Sequence, residues 1–149
     1  MISKAADGVR DRLYLEPLRI DQYRQVAEWE FGEQSENTDW QRYIAEMNAP
    51  QWAHLGLYGG ADFIGCISLE RIDPQTMAYH VVTDRHRVHP RALAQVLLKM
   101  ADELFKQGHT ALTVRIPSTN RAAARLAIRC GMTKTGRNES ERHFILTRS

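Results

Sequence analysis

Short segments in which apolar and polar residues alternate recur along the chain, the pattern of half-buried β-strands. They are Leu13 to Leu18, broken at Pro17, and then Trp52 to Tyr58, Phe63 to Ile72, Met77 to Thr83, Leu112 to Ile116, Met132 to Gly136 and His143 to Thr147. The Gly59-Gly60 turn predicts an antiparallel hairpin, and the Asp73-Pro74 turn extends that hairpin to a three-stranded meander.

Apolar residues spaced by three and four positions predict four helices between these strands. Their limits are Ile20 to Gly32, Thr38 or Asp39 to a point before Pro50, Pro90 to Gly108, and Asn120 to Gly131. A strand, the long third helix and a further strand in sequence predict a parallel crossover. The complete order predicts an α+β fold, with a mixed, mostly antiparallel sheet of about seven strands flanked by about four helices.

Composition narrows the class of protein. The 149 residues are 43% apolar and 26% charged, which predicts a single domain over residues 11–149 after a flexible N-terminus at residues 1–10. A formal net charge of +2 argues against a nucleic-acid partner. Without a long apolar segment we expect no membrane partner and a cytoplasmic location. Cys66 and Cys130 lack metal-site spacing, so they predict buried thiols and no metal.

The segment from Val81 to Leu93 is the most informative for chemistry. A strand runs there into three arginines, two histidines and then the start of the long helix. A helix start offers unpaired backbone N–H groups and the positive end of the helix dipole, which together favour a bound phosphate. The alternative is a solvated, charged loop.

Two parts of the C-terminal half resemble the GCN5-related N-acetyltransferase (GNAT) family. The family's phosphate-binding turn reads Gln or Arg, two residues, Gly, one residue, Gly or Ala, and its counterparts here are Arg87, Pro90 and Ala92. The family's later pattern of Asn, Ala, Leu, Tyr, Gly and an aromatic is similar to Asn120, Ala123, Leu126, Ala127, Gly131 and Met132. Looser similarity extends the resemblance from Leu13 to Thr147.

The resemblance implies a GNAT-like acyl-CoA N-acyltransferase fold with acetyl-CoA as the cofactor. It implies cofactor binding by Val81, Val82, Thr83, Arg87, Val88, His89, Arg91, Ala92, Leu93, Asn120 and Ala123. Two positions depart from the family pattern. Pro90 removes an amide donor where the family has a glycine. Ala127 stands where many relatives have a tyrosine whose hydroxyl protonates the departing thiolate.

Acetyl transfer to an amine needs a base, and two residues are candidates. His80, in the fourth strand, is the first because an imidazole titrates near neutral pH. Glu70, at the end of the third strand, is the second. Each also has an ordinary interpretation, as a half-buried strand residue and a surface carboxylate. Family members also work through a water relay or by proximity alone, so catalysis does not require either residue.

Arg121, Arg125 and Arg129 recur every four residues in the last predicted helix and form one basic stripe. Such a stripe is usually a solvated face. By resemblance, it would also reach the adenosine phosphate of CoA.

Two functions compete on this one fold. The first is an acetyl-CoA-dependent N-acetyltransferase acting on a small-molecule or peptide amine. The acidic stretch from Glu28 to Asp39 favours a cationic acceptor, although acidic loops are often simply solvated. The second is a GNAT-fold protein that has lost catalysis and serves as a binding or structural subunit, in the virion or host cytoplasm if viral, like internal virion proteins of short-tailed phages. Pro90 and Ala127 favour that alternative, and a homodimer is compatible with both.

Overall fold

The computed structural model describes residues 13–32, 39–84 and 88–148. Within these residues the strands are β1 (Leu13–Pro17), β2 (Trp52–Gly59), β3 (Asp62–Asp73), β4 (Thr76–Thr83), β5 (Ala111–Pro117), β6 (Thr133–Arg137) and β7 (Glu141–Thr147). The helices are α1 (Tyr23–Phe31), which follows a 3-10 turn at Ile20–Gln22, α2 (Trp40–Met47), α3 (Pro90–Lys106) and α4 (Arg121–Arg129). The predicted α+β class and the order of its elements are confirmed.

One seven-stranded sheet has the order β1-β2-β3-β4-β5-β7-β6. β4 and β5 pair in parallel, which confirms the predicted crossover through α3, whereas β1 with β2, β5 with β7 and β6 with β7 pair antiparallel. The last strand in sequence lies between β5 and β6, so β6 forms an edge of the sheet.

The chain divides into two compact units. The first unit comprises the described residues of Met1–Leu69 and Val81–His89, and the second comprises those of Glu70–His80 and Pro90–Ser149. The predicted flexible N-terminus at residues 1–10 lies outside the described residues. A single domain over residues 11–149 stays a prediction.

The core of the first unit lies around Val26, Cys66 and Val82, with Leu18, Trp29 and Phe63 packed against it. Every residue of β3 from Ile64 to Leu69 is buried, so this strand is covered on both faces rather than alternating. Gly65 is required at its position, because a Cβ atom there would lie 2.9 Å from the carbonyl oxygen of Val82.

The helices of the first unit begin and end at residues suited to those positions. Gly32 follows α1 with a φ of 61°, a left-handed conformation that glycine adopts without steric cost. Of the two predicted caps for α2, Asp39 is the one in place, since its Oδ1 accepts the N–H of Arg42 at 3.2 Å. No residue of α2 is buried, so the helix lies at the surface.

The core of the second unit draws its buried side chains from α3, α4, β5 and β7, among other elements. Its buried side chains include Leu93, Val96, Leu97, Met100, Leu104, Leu112, Val114, Ile116, Ala124, Ala127 and Phe144. Cys130 and Cys66 are both buried free thiols, as predicted. Among the described residues no helix is long and apolar enough to cross a membrane.

Candidate cofactor and catalytic site

The segment predicted to bind a phosphate joins β4 to α3. Val81, Val82 and Thr83 end β4 in the first unit, where Val82 is 9% exposed and belongs to the core. Val88 is half-buried and His89 is exposed immediately before the helix. Arg87 lies outside the described residues, so its predicted contact with the cofactor stays a prediction.

The rest of this segment is the first turn of α3, which belongs to the second unit. Pro90 is its first residue, a favourable place for proline because the first N–H groups of a helix have no acceptor within the helix. The side chains of Ala92 and Leu93 are buried in the core, whereas Arg91 is exposed. Ala92 therefore has only its backbone N–H to offer to a phosphate, whereas the N–H of Leu93, the fourth residue of the helix, bonds within the helix.

Asn120 and Ala123, also predicted to bind the cofactor, form the N-terminal cap of α4. Asn120 Oδ1 accepts the N–H of Ala123 at 3.0 Å. This hydrogen bond occupies the N–H of Ala123 and the side-chain oxygen of Asn120. The side-chain amide Nδ2 of Asn120 is therefore the group left to contact a cofactor. The sequence predicts that Asn120 begins α4, but it does not predict the hydrogen bond between Asn120 and Ala123.

β4 and β5 pair in parallel over only three residues, ending with Ala78 opposite Thr113, although both strands continue. The next two residues of β4 are Tyr79 and His80. Because side chains alternate along a strand, these two lie on opposite faces of the sheet. Tyr79 is buried at 7% exposure, whereas His80 is exposed rather than half-buried. Glu70, the second base candidate, is half-buried at the start of the second unit.

Tyr79, next to the base candidate His80, is a residue of this region that the sequence patterns did not predict. Its hydroxyl donates to Met132 Sδ at 3.5 Å, and the N–H of Met132 donates to the carbonyl oxygen of Ala127 at 3.0 Å. Met132 is therefore bonded both to Tyr79, through its sulfur, and to the residue that stands in place of the family tyrosine, through its N–H. Burial, and then the charge of Cys130, raises the pKa of Tyr79, so the phenol stays protonated at neutral pH. The signal available in the sequence was strand alternation, which puts Tyr79 on the same face of β4 as the apolar Met77.

The first unit holds a separate polar cluster around His54 on β2. His54 Nδ1 lies 2.7 Å from Ser68 Oγ, and Nε2 contacts the carbonyl oxygen of Met47 at the end of α2. A carbonyl only accepts, so Nε2 carries the hydrogen and the Ser68 hydroxyl donates to Nδ1. The ring also stacks on Trp52 at 5.6 Å. This cluster fastens the exposed helix α2 to the sheet.

A negative charge lies near this cluster. Burial, followed by the charge of Glu30, raises the pKa of Tyr43 to about 12. The same two causes contribute to raising the pKa of the Cys66 thiol to about 11, so this cysteine is a poor nucleophile at neutral pH. Among the described residues, no three His, Cys, Asp or Glu side chains are grouped so that they could hold a metal ion.

Solved structures with a similar fold include several N-acetyltransferases. The spermidine/spermine N-acetyltransferase SpeG of Vibrio cholerae has a TM-score of 0.74 at 12% identity, covering 93% of this chain and 94% of that chain. The N-acetyltransferase PseH of Campylobacter jejuni, solved with acetyl coenzyme A, has a TM-score of 0.71 at 12% identity, covering 92% and 99%. A domain from Methanocaldococcus jannaschii has a TM-score of 0.77 at 12% identity, covering 91% and 98%.

The sequence matches no protein-family model and no curated protein. At 12% identity the structural similarity shows the fold, and it confirms the GNAT-like architecture that the sequence predicts.

Proposed function

We propose that this protein is an acetyl-CoA-dependent N-acetyltransferase acting on an amine. The observation that carries the proposal is the fold, which is shared over more than nine-tenths of the chain with N-acetyltransferases, one of them solved with acetyl coenzyme A. Supporting it, the N–H group of Ala92 lies in the first turn of a 17-residue helix, where the helix dipole favours the cofactor's phosphates.

The proposed chemistry uses two adjacent residues of β4 just beyond its last pair with β5, where a thioester between the two strands would be open to both faces of the sheet. The amine nitrogen attacks the thioester carbonyl, so a C–N bond forms and the C–S bond breaks. His80, exposed, would accept the proton that the amine loses. The Tyr79 hydroxyl, which donates to a thioether sulfur, would give its proton to the departing CoA thiolate. The proton on His80 returns through water to the phenolate and completes the cycle.

Binding is the first test of the proposal. CoA at about 100 times its dissociation constant should stabilise the fold by about 2.7 kcal/mol, which a thermal shift assay detects. Pantetheine, which lacks the nucleotide phosphates, should give a smaller shift at the same concentration. If neither molecule shifts the melting temperature, the acetyltransferase proposal fails, and the alternative of a GNAT-fold structural subunit takes its place.

Turnover is the second test. Labelled acetyl-CoA should transfer its acetyl group to a member of an amine panel, and His80→Gln should lower kcat without changing the affinity for CoA. Glu70→Gln serves as the comparison, because Glu70 was the other predicted base. Loss of turnover in Glu70→Gln but not in His80→Gln would exchange their roles.

We propose a cationic acceptor, in the class of polyamines or lysine-rich peptides. Glu28 and Glu30 are both exposed on α1, and the charge of Glu30 contributes to the raised pKa of Tyr43. Exposed carboxylates raise the local concentration of a cation, and salt screens that effect. The double variant Glu28→Gln/Glu30→Gln should therefore raise the KM for a cationic amine at low salt. A preference for anionic acceptors would overturn this assignment.

A further inference from the structure

Charge is divided unequally along the chain, although the net charge of +2 conceals it. Residues 110–149 contain eight Lys or Arg and two Glu, a net charge of +6, whereas residues 1–109 contain twelve basic and sixteen acidic residues, a net charge of −4. The expectation of no nucleic-acid partner depended only on the net charge of the whole chain. The C-terminal forty residues, which lie in the second unit, are strongly basic.

Three of these cations form a stripe on α4. Arg121, Arg125 and Arg129 are all exposed, and the helix contains no acidic residue. Residues four apart lie on one face of a helix, about 6 Å apart along its axis. Within the described part of the chain, the guanidinium groups of Arg121 and Arg125 form no ion pair.

Two more cations oppose each other across β6 and β7. The register places Arg137 directly opposite Arg142, and like charges in that position are destabilising. Arg142 is half-buried, and its guanidinium has neither an ion pair nor a hydrogen bond to any residue that the structure describes. A bound anion would relieve this repulsion, which is a second observation, independent of the stripe, that indicates an anionic ligand.

The stripe and the opposed pair belong to the same end of the second unit. Arg142 is in register with Ile116, at the end of β5. The connection from β5 to α4 is bonded to the β6–β7 turn, since the N–H of Ser118 donates to the carbonyl oxygen of Ser140 at 2.8 Å. Arg121 begins α4 three residues later. We call Arg121, Arg125, Arg129, Arg137 and Arg142 the arginine surface.

We propose that the arginine surface binds the phosphodiester backbone of a nucleic acid. Seven of the eight cations in residues 110–149 are arginines, whose planar guanidinium pairs with phosphate through two parallel hydrogen bonds. A regular row of exposed arginines on a helix without acidic residues fits a regular row of phosphates. Membrane insertion is disfavoured, because Ala124 and Ala127 on the apolar side of α4 are already buried in the core.

Fluorescence anisotropy with a fluorescein-labelled 20-base-pair duplex, as DNA and as RNA, tests the proposal at 50 to 200 mM salt. Five phosphate contacts predict a slope of log K against log salt of about −4.5, or about a 500-fold loss of affinity over that range. The triple variant Arg121→Gln/Arg125→Gln/Arg129→Gln should reduce the slope to about −1.8. DNA and RNA share the phosphodiester backbone, and comparing the affinities for the two duplexes shows which nucleic acid is preferred.

A matched control removes three exposed arginines from the first unit, Arg19→Gln/Arg24→Gln/Arg42→Gln, with the same change in net charge. This control should retain the wild-type slope. Equal losses in both triple variants, or no binding by the wild type, would overturn the proposal. Displacement of the duplex by polyglutamate or by anionic lipid vesicles as readily as by unlabelled duplex would also overturn it.

CoA affinity separates the arginine surface from the cofactor site. The triple variant of α4 should bind CoA as tightly as the wild type, and a loss of CoA binding would assign the stripe to the cofactor instead. Melting temperatures establish that each variant is folded. If the triple variant unfolds, Arg125→Gln alone replaces it, and this single variant should reduce the magnitude of the slope by about 0.9.

Discussion

The two units differ in how their buried polar groups are satisfied. In the first unit Gln22 Nε2 donates to the Tyr58 hydroxyl at 2.6 Å, and Ser68 pairs with His54 at 2.7 Å. In the second unit the Tyr79 hydroxyl has a thioether as its partner. Two buried ring nitrogens there, His109 Nδ1 and His143 Nε2, have no hydrogen-bond partner among the described residues.

The less completely paired groups lie in the second unit, which also contains the residues of the proposed acetyl transfer and the arginine surface. Buried polar groups are nearly always paired, so a unit that leaves them weakly paired or unpaired needs an explanation. The second unit also contains the opposed Arg137 and Arg142, and it contributes the first turn of α3. Unpaired buried groups and opposed like charges lower stability, and they are expected where a bound ligand supplies the missing interactions.

The largest expected effect is on the proposed acetyl transfer, through Tyr79 in the second unit. Tyr79→Phe should lower kcat about 100-fold, because general acid catalysis contributes on that order. Its stability should stay within about 0.5 kcal/mol of the wild type, because the hydroxyl gives up only a weak bond to sulfur. Steady-state kinetics and urea unfolding measure the two effects.

A rescue variant sharpens this prediction. Tyr79→Phe/Ala127→Tyr supplies a hydroxyl from α4 and should recover part of the lost kcat, whereas Tyr79→Phe/Ala127→Phe, which adds the same ring without the hydroxyl, should not. Position 127 is fully buried, so each double variant carries a packing cost that must be measured alongside activity. An unchanged kcat in Tyr79→Phe would remove this residue from the mechanism.

The next effect is on stability in the first unit. Tyr58→Phe removes the hydroxyl that accepts from Gln22, which leaves a buried amide donor unsatisfied and should cost about 1–3 kcal/mol. Tyr14→Phe is the matched control, because the exposed Tyr14 hydroxyl bonds the Gly60 carbonyl, which water can solvate instead. Equal costs for the two variants would contradict the contrast between the units, and neither variant should alter CoA affinity.

A smaller effect is expected at the cap of α4. Asn120→Ala removes the acceptor for the Ala123 N–H and should cost about 1 kcal/mol, whereas Asn120→Ser keeps a capping oxygen and should cost less. Comparing the CoA affinity of these variants tests the remaining Nδ2 group, which both lack. If both bind CoA as tightly as the wild type, Asn120 only caps the helix.

The sequence was sufficient for the elements and their order, because periodicity, Pro90, Asn120 and the glycine stops are local signals. It did not reveal that β7 lies between β5 and β6, since strand order depends on long-range pairing. Tyr79 was overlooked for a related reason. Its significance comes from Met132, fifty-three residues away, and no local pattern records that contact.

The smallest expected effect is a pH dependence of stability in the first unit. Burial lowers the pKa of His54, so below its ordinary value of 6.5 the unfolded chain binds a proton more readily than the folded one. Stability should therefore be complete above pH 6.5 and fall as the pH drops toward the folded pKa. His54→Gln, which removes the titrating ring, should flatten the melting temperature between pH 7 and pH 5, whereas Asn120→Ser, which changes no titratable group, should leave the wild-type dependence in place. The same slope in His54→Gln as in the wild type would show that the contact with Met47 and Ser68 does not control how the first unit responds to acid.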